Sequence, residues 1–206
     1  MNFFDIFGFR RTPPIRDAGA LADFIDENSA FLVQKAIYEY SRARAGHYSK
    51  VLFKEPEFHK AVEQSRWRAY PLGLAMVAEA AEGLLRPAAG DNRQAQVEAL
   101  STLVLSIFDR YPVPSALDTA IWGELRAELA RRLQLIGLHA PKLAMDIPEP
   151  FAQSYFDLMP IHEKLRRAEF PTLRNYMRVT MCNIHDELDK RLEPKAVAGL
   201  LIGHSV

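Results

Sequence analysis

The chain has 206 residues, of which 49% are apolar and 25% are charged, so it has enough apolar material for one folded domain. This composition excludes a disordered chain and a highly charged tail. Lys plus Arg and Asp plus Glu number 26 each, and the resulting zero net charge argues against bulk electrostatic attraction to nucleic acid.

Residues 1–16 form an aromatic N-terminal arm whose composition differs from the rest of the chain. The arm either docks on the core or acts as an interfacial segment, because aromatic and basic residues together suit an anionic surface. The residues that would make a membrane or partner contact are Phe3, Phe4, Phe7, Phe9, Arg10 and Arg11. The start lacks the features of a secretory signal, so we expect a cytoplasmic protein.

Two helices are predicted next, over residues 17–27 and 29–46. Asp17 and Ser29 are suitable N-cap residues, and Gly46 can adopt the left-handed conformation that ends a helix. The second helix is amphipathic, with an apolar stripe that must pack against other helices. The stripe consists of Phe31, Leu32, Ala36, Ile37 and Tyr40.

Residues 55–65 and 72–86 are predicted as two further helices, separated by residues 66–71, in which arginines alternate with aromatic residues. This segment can stack on nucleobases, or it can be a connector whose rings pack inward under arginine stems. In the second helix Glu82 lies at the edge of the apolar face and Glu79 on its outer side. We therefore expect both carboxylates to be solvated rather than catalytic. The apolar tract is shorter than the roughly 20 residues that span a bilayer, so no transmembrane segment is predicted.

Residues 87–91 are the one candidate boundary within the helical domain, which otherwise covers residues 17–206. Asp91 and Gln94 have the spacing of a capping box. The following helix, residues 92–109, is apolar almost all round in its second half, so we expect it at the centre of the fold.

Regular apolar stripes predict the helices of the remaining chain. Ser115 and Asp118 form a capping pattern before one stripe, and residues 139–148 form a proline-punctuated loop after it. A short helix begins at Glu149, and the apolar tail, residues 195–206, can dock on the core. The two stripes are Leu117, Ile121, Leu125, Leu129, Leu133 and Ile136, and then Leu173, Met177, Thr180, Met181, Ile184, Leu188 and Leu192.

No segment shows the β-branched, period-two pattern of a strand, and hairpin turn signals are missing from the sequence. The connections between helical segments are short and rich in proline. The sequence therefore predicts an all-α fold, a single globular multi-helix bundle of about seven helices with proline-rich connections.

The histidines and the cysteine give little support for a cofactor, and we expect none. No histidine has a glutamate three residues before it, and glycine-rich phosphate-binding motifs are absent from the sequence. A pocket or metal site that His162 and His185 share across helices is kept as an alternative. Cys182 is the one cysteine, which excludes an internal disulfide. A helix interior offers it no oxyanion donors, so we expect it to be inert.

Basic and aromatic residues recur along the predicted helices between residues 35 and 68. This basic aromatic patch consists of Lys35, Tyr38, Arg42, Arg44, Lys50, Arg66, Trp67 and Arg68. Arginine with aromatic residues is typical of protein interfaces. Our leading hypothesis is a non-enzymatic adaptor or regulatory protein that binds a protein partner through this patch. The alternatives are an enzyme or carrier with a small-molecule or metal pocket, and peripheral membrane association through the arm.

Overall fold

The computed structural model describes residues 13–46, 49–52, 54–160 and 168–203, without the side chains of residues 39, 40, 43–45, 49, 52 and 202. The helices are α1 (Ala18–Ala45), α2 (Ser49–Leu52), α3 (Pro56–Ala89), α4 (Arg93–Phe108), α5 (Thr119–Ile136), α6 (Glu149–Asp157), α7 (Phe170–Arg191) and α8 (Pro194–Gly203). Short 3₁₀ turns occupy Gly90–Asn92 and Ala144–Asp146. The predicted all-α, multi-helix fold is confirmed, since helices are the regular elements of the described residues.

Helix α1 runs unbroken through the position at which the sequence predicts two helices. Asp17 caps its start by accepting a hydrogen bond from the Ala20 backbone N–H at 2.8 Å. The predicted N-cap at Ser29 is wrong, because Ser29 is buried within the helix and its hydroxyl donates to the Ile25 carbonyl at 2.6 Å. Gly46 follows the helix with φ of 52°, so its predicted role in ending the helix is confirmed.

Helix α3 is the central element of the fold, and it continues through both of its internal prolines, Pro71 and Pro87. Every residue from 69 to 82 is buried, because α3 contacts α1, α4, α5, α6, α7 and α8. Burial of this apolar surface offsets the hydrogen bond that Pro71 removes. Residues 66–71 are therefore helical and not the predicted connector, although Trp67 and Tyr70 pack inward as predicted. The central position predicted for residues 92–109 is wrong.

The close crossing of α1 over α3 depends on Gly73. A Cβ atom at this position would lie 3.0 Å from the Ser29 carbonyl oxygen and 3.1 Å from a methyl group of Val33. A larger residue at position 73 would push the two helices apart. The small residue therefore fixes how closely α1 lies against the central helix.

Glu79 and Glu82 are both buried, so the expectation that they are solvated is wrong. Glu82 is only 1% exposed and accepts hydrogen bonds from Nε and Nη2 of Arg86, one turn later on α3. Glu79 is 7% exposed and faces Lys142, which lies in the chain segment between α5 and α6. Cationic side chains thus replace water around each carboxylate.

The helices after α3 follow the apolar stripes predicted for them. Asp118 caps α5 by accepting a hydrogen bond from the Ala120 backbone N–H at 2.7 Å. The predicted capping box of Asp91 and Gln94 is wrong, because Gln94 donates instead to Glu98 at 2.8 Å. The stripe predicted for α7 is buried at Leu173, Met177, Thr180, Met181, Ile184, Leu188 and Leu192.

The two described ends of the chain meet beside the junction of α7 and α8. The Ile15 backbone N–H donates to the Arg191 carbonyl at 2.8 Å, and the Glu193 N–H donates to the Ile15 carbonyl at 3.0 Å. Val197 and Leu201 of α8 are buried, so the described part of the predicted tail, residues 195–203, docks on the core. Among the described residues, none of the helices combines the length with the apolarity that a membrane span requires.

Candidate functional site

One face of α1 carries three residues of the predicted basic aromatic patch together with an exposed aromatic ring. Phe31, Lys35, Tyr38 and Arg42 share this face because they are spaced by three or four residues. Phe31 is 49% exposed, and the Lys35 ammonium nitrogen lies 5.1 Å from the centre of its ring. Solvent thus meets an aromatic ring and a cation on the same helical face.

The structure corrects the direction predicted for Phe31. The sequence pattern places Phe31 in the inward stripe with Leu32. Consecutive helix positions point about 100° apart, so neighbouring residues cannot both lie at the centre of one stripe. The structure buries Leu32 completely and exposes Phe31. The outward direction of Phe31 is therefore the feature that joins this helix to the predicted patch.

Trp67 brings the central helix to the same surface. Its half-buried indole packs edge-on against three rings, with centroid distances of 6.0 Å to Tyr70, 5.4 Å to Tyr111 and 5.8 Å to Trp122. The Arg66 guanidinium lies 5.1 Å from the indole centre. Edge-to-face packing of this kind fixes the ring orientation, so Trp67 is a rigid part of the surface.

Glu63 connects the two helices at the edge of this surface. Its Oε1 atom accepts a hydrogen bond from the Tyr38 hydroxyl at 3.4 Å and lies 3.6 Å from the Arg66 guanidinium. Burial, and then the charge of Glu63, raise the pKa of Tyr38, so the phenol stays protonated at neutral pH. Glu63 therefore holds an aromatic residue of α1 beside an arginine of α3.

Asp26 supports the aromatic rings from beneath. Its carboxylate accepts hydrogen bonds from the hydroxyls of Tyr70 at 2.6 Å and Tyr111 at 2.9 Å, and it lies 3.6 Å from the Arg110 guanidinium. Burial raises the pKa of Tyr70 far above its ordinary value, and the hydrogen bond to Asp26 raises it further. The carboxylate thus locks two rings that pack against Trp67.

A cavity of about 140 Å³ opens between α1, α3 and Tyr111. Two polar residues line it: Gln34 of α1, which is exposed, and Arg66 of α3, which is half-exposed. The remaining walls are apolar or aromatic. The cavity is lined by Ala30, Val33, Gln34, Arg66, Trp67, Tyr70 and Tyr111. We call the region defined by Phe31, Lys35, Tyr38, Arg66 and Trp67 the α1–α3 surface.

The other members of the predicted patch lie apart from this cavity or outside the description. Arg42 is exposed on α1, and Lys50 is exposed on the short helix α2. Arg68 is exposed but is turned about 200° around α3 from Arg66. The Arg44 side chain lies outside the described residues.

The N-terminal arm also lies outside the described residues in the part that carries its predicted contacts. These residues are Phe3, Phe4, Phe7, Phe9, Arg10 and Arg11. The structure does describe the following residues 13–16, of which Ile15 is fully buried.

The predicted histidine pocket is only half described, because His162 lies outside the description. His185 is half-buried on α7, three residues after the half-buried free thiol of Cys182. Among the described residues, His, Cys, Asp and Glu side chains do not gather in a group of three or more able to hold a metal ion. The pocket or metal site that His162 and His185 would share therefore stays a prediction.

Asp26, Tyr111 and Trp122 belong to the site but escaped the sequence analysis. Each lies at least 40 positions along the chain from Trp67 and joins its ring cluster only through packing of α1, α5 and the turn after α4 against α3. An aspartate inside an amphipathic helix beside Phe24 and Ile25 was the one available signal. A carboxylate in that setting needs partners.

Comparison with protein-family models finds no match, and the curated proteins and the solved structures compared with this chain include none that is significantly similar to it.

Proposed function

We propose that this chain is a non-enzymatic cytoplasmic protein that binds a protein partner through the α1–α3 surface. The observation that carries the proposal is the exposed ring of Phe31, with Lys35 against it, on the helix whose Ala30 and Gln34 line the cavity that Arg66 and Trp67 border. The cytoplasmic location is proposed because the sequence has one cysteine and uses no disulfide.

The composition of the surface favours a protein partner. Aromatic residues and arginine are enriched at the energetic centres of protein interfaces, where they fill pockets in the partner or offer pockets to it. An aromatic ring that is 49% exposed is costly to leave in water, and covering it would release that cost.

The support beneath the surface also favours binding. Trp67 is held by Tyr70 and Tyr111, which are themselves held by Asp26. Residues that are already fixed lose little side-chain entropy when a partner binds. The α1–α3 surface therefore has a rigid aromatic base with longer cationic side chains at its edge.

The charges of the surface indicate the chemistry of the partner. Lys35, Arg42 and Arg66 are cationic. Of the carboxylates around them, Glu63 already contacts Arg66 and Tyr38, Asp26 accepts hydrogen bonds from Tyr70 and Tyr111, and Glu27 is exposed one turn before Phe31. A partner segment with acidic residues around one apolar side chain would match these cations and fill the cavity of about 140 Å³.

The test is quantitative capture of partners by purified protein, with a matched pair of double variants. Phe31→Ser with Lys35→Glu changes the α1–α3 surface. Val179→Ser with Lys190→Glu likewise replaces one apolar residue and one lysine at exposed positions of α7. We expect the first variant to capture at least about tenfold less of a stoichiometric protein partner than the unmodified chain does. The second variant should capture as much as the unmodified chain.

The contradicting outcomes of this experiment are specific. Equal capture by the two double variants and the unmodified chain would remove the α1–α3 surface from binding. Capture of nucleic acid in place of protein would change the partner class. Circular dichroism melts of both variants, which we expect to match the unmodified chain, show that the changes act on binding alone.

A further inference from the structure

A second cavity, of about 220 Å³, lies between α3, α5, α6 and the chain segment that joins α5 to α6. Its floor is apolar and its rim is charged, which is typical of pockets that orient a small molecule. The walls are formed by Ala75, Glu79, Arg132, Leu135, Ile136, His139, Lys142, Pro150 and Phe151.

Glu79 is the buried polar group of this cavity. The Lys142 ammonium nitrogen lies 2.8 Å from its Oε1 atom, and His139 Nε2 lies 3.4 Å from the same atom. Neither contact has the direction of a hydrogen bond, so Oε1 has no aligned donor among the described residues. Buried carboxylate oxygens are ordinarily hydrogen-bonded, so this arrangement is unusual for a group that serves stability alone.

The rim of the cavity carries more positive than negative charge. The Arg132 guanidinium lies 5.0 Å from the centre of the Phe151 ring and 2.8 Å from Glu128, which also pairs with Arg131 at 2.6 Å. Among the lining residues, Arg132 and Lys142 are cations and Glu79 is a carboxylate, which gives two positive charges and one negative charge when His139 is neutral. The cavity therefore attracts an anion rather than a cation.

The segment that carries His139 and Lys142 is held by two arginines. Arg86 Nη1 donates a hydrogen bond to the His139 carbonyl at 2.8 Å, and Arg93 Nη2 donates to the Gly137 carbonyl. Gly137 also packs so closely on Val97 that an added Cβ would lie 2.9 Å from it. These contacts fix the rim in place, so the cavity is formed before any ligand enters.

We propose that this cavity binds a small organic anion, a carboxylate with an apolar body. The carboxylate lies at Lys142, whose ammonium group has three donors and lies 2.8 Å from Glu79 Oε1. The apolar body lies against Leu135, Ile136 and Phe151. Glu79 is then the counter-ion that competes with the ligand for Lys142, and the site is separate from the α1–α3 surface.

The experiment is isothermal titration calorimetry of the full chain with three probes of similar shape: benzoate, benzyl alcohol and benzylamine. Benzoate should bind saturably at one site, and the neutral and cationic probes should bind at least about tenfold more weakly. Tighter binding of benzylamine, or no saturable binding of benzoate, would overturn the proposal.

Two substitutions at the rim give changes of opposite sign. Lys142→Met should weaken benzoate binding by at least about tenfold, whereas Glu79→Gln should strengthen it because it removes the competing carboxylate. Lys190→Met on the exposed face of α7 is the matched control and should leave binding unchanged. Unchanged affinity in the Lys142→Met protein would overturn the proposal.

Methyl NMR of the unmodified chain provides a readout that does not depend on how a variant folds. Benzoate should shift the methyl signals of Leu135 and Ile136 and leave those of Val179 in place. Shifts confined to other parts of the chain would overturn the proposed location.

Discussion

Asp26 on α1 and Glu79 on the central helix α3 each contribute a carboxylate to the packing around α3, but the surroundings of the two carboxylates differ. Asp26 receives well-aligned hydrogen bonds from Tyr70 and Tyr111 and lies near the Arg110 guanidinium. Glu79 lies close to Lys142 and His139, yet its Oε1 atom has no aligned donor among the described residues. The first carboxylate stabilises an aromatic surface, and the second borders a cavity.

The difference shows that the alignment of donors around a buried carboxylate distinguishes a structural role from a role in binding. A carboxylate with matched donors fixes its neighbours, because each donor would be left unpaired if it moved. A carboxylate whose neighbouring cation is not aligned as a hydrogen-bond donor leaves that cation able to contact a ligand as well. Glu82, one turn from Glu79 on α3, is of the first kind, since Arg86 pairs with both of its oxygens.

The sharpest test of this comparison replaces glutamate by glutamine at two positions of α3, first Glu82 and then, as described below, Glu79. Glu82→Gln should lower the free energy of unfolding by about 3–5 kcal/mol, because the mostly buried Arg86 guanidinium loses its partner. The measurement is urea unfolding followed by circular dichroism. A loss below about 1 kcal/mol would show that Arg86 is resolvated and that this pair is not structural.

Tyr70→Phe tests the Asp26 cluster, with an expected loss of about 1.5–3 kcal/mol at pH 7 from one hydrogen bond to a charged group. The pKa of Tyr70 is raised in the folded state, so its contribution is complete below the ordinary tyrosine pKa of about 10 and declines as pH rises above it. The stability difference between the two proteins should therefore narrow between pH 9 and pH 11. A constant difference over that range would show that Tyr70 ionises alike in both states.

Glu79→Gln should have the smallest effect of the three, changing the free energy of unfolding by less than about 1 kcal/mol. Lys142 and His139 are 31% and 39% exposed, so water can replace the lost charge. The same urea unfolding measurement applies. A loss as large as that of Glu82→Gln would erase the distinction between the two glutamates and place Glu79 among the structural groups.

The helical class and the apolar stripes were predictable because they depend on local spacing. The stripe of α7 from Leu173 to Leu188 is buried throughout, and Gly46 ends α1 as its left-handed preference predicts. These features need no knowledge of what lies across the core.

The errors arose where distant parts of the chain override local preference. Pro71 lies inside α3 because six other helices surround this part of the chain, so burial outweighs one missing hydrogen bond. Glu79 is buried because His139 and Lys142 reach it from at least 60 positions away. The Glu82 and Arg86 pair was the exception, since its spacing of four residues is visible in the sequence.

The central claim is that the α1–α3 surface binds a protein partner, and photo-crosslinking at position 31 in the protein's own cells tests it most directly. Benzoylphenylalanine in place of Phe31 should give one discrete adduct with another protein, and the same group in place of Val179 on α7 should not. The adduct should also disappear when Lys35→Glu is added. No adduct at position 31, or the same adduct at both positions, would contradict the claim.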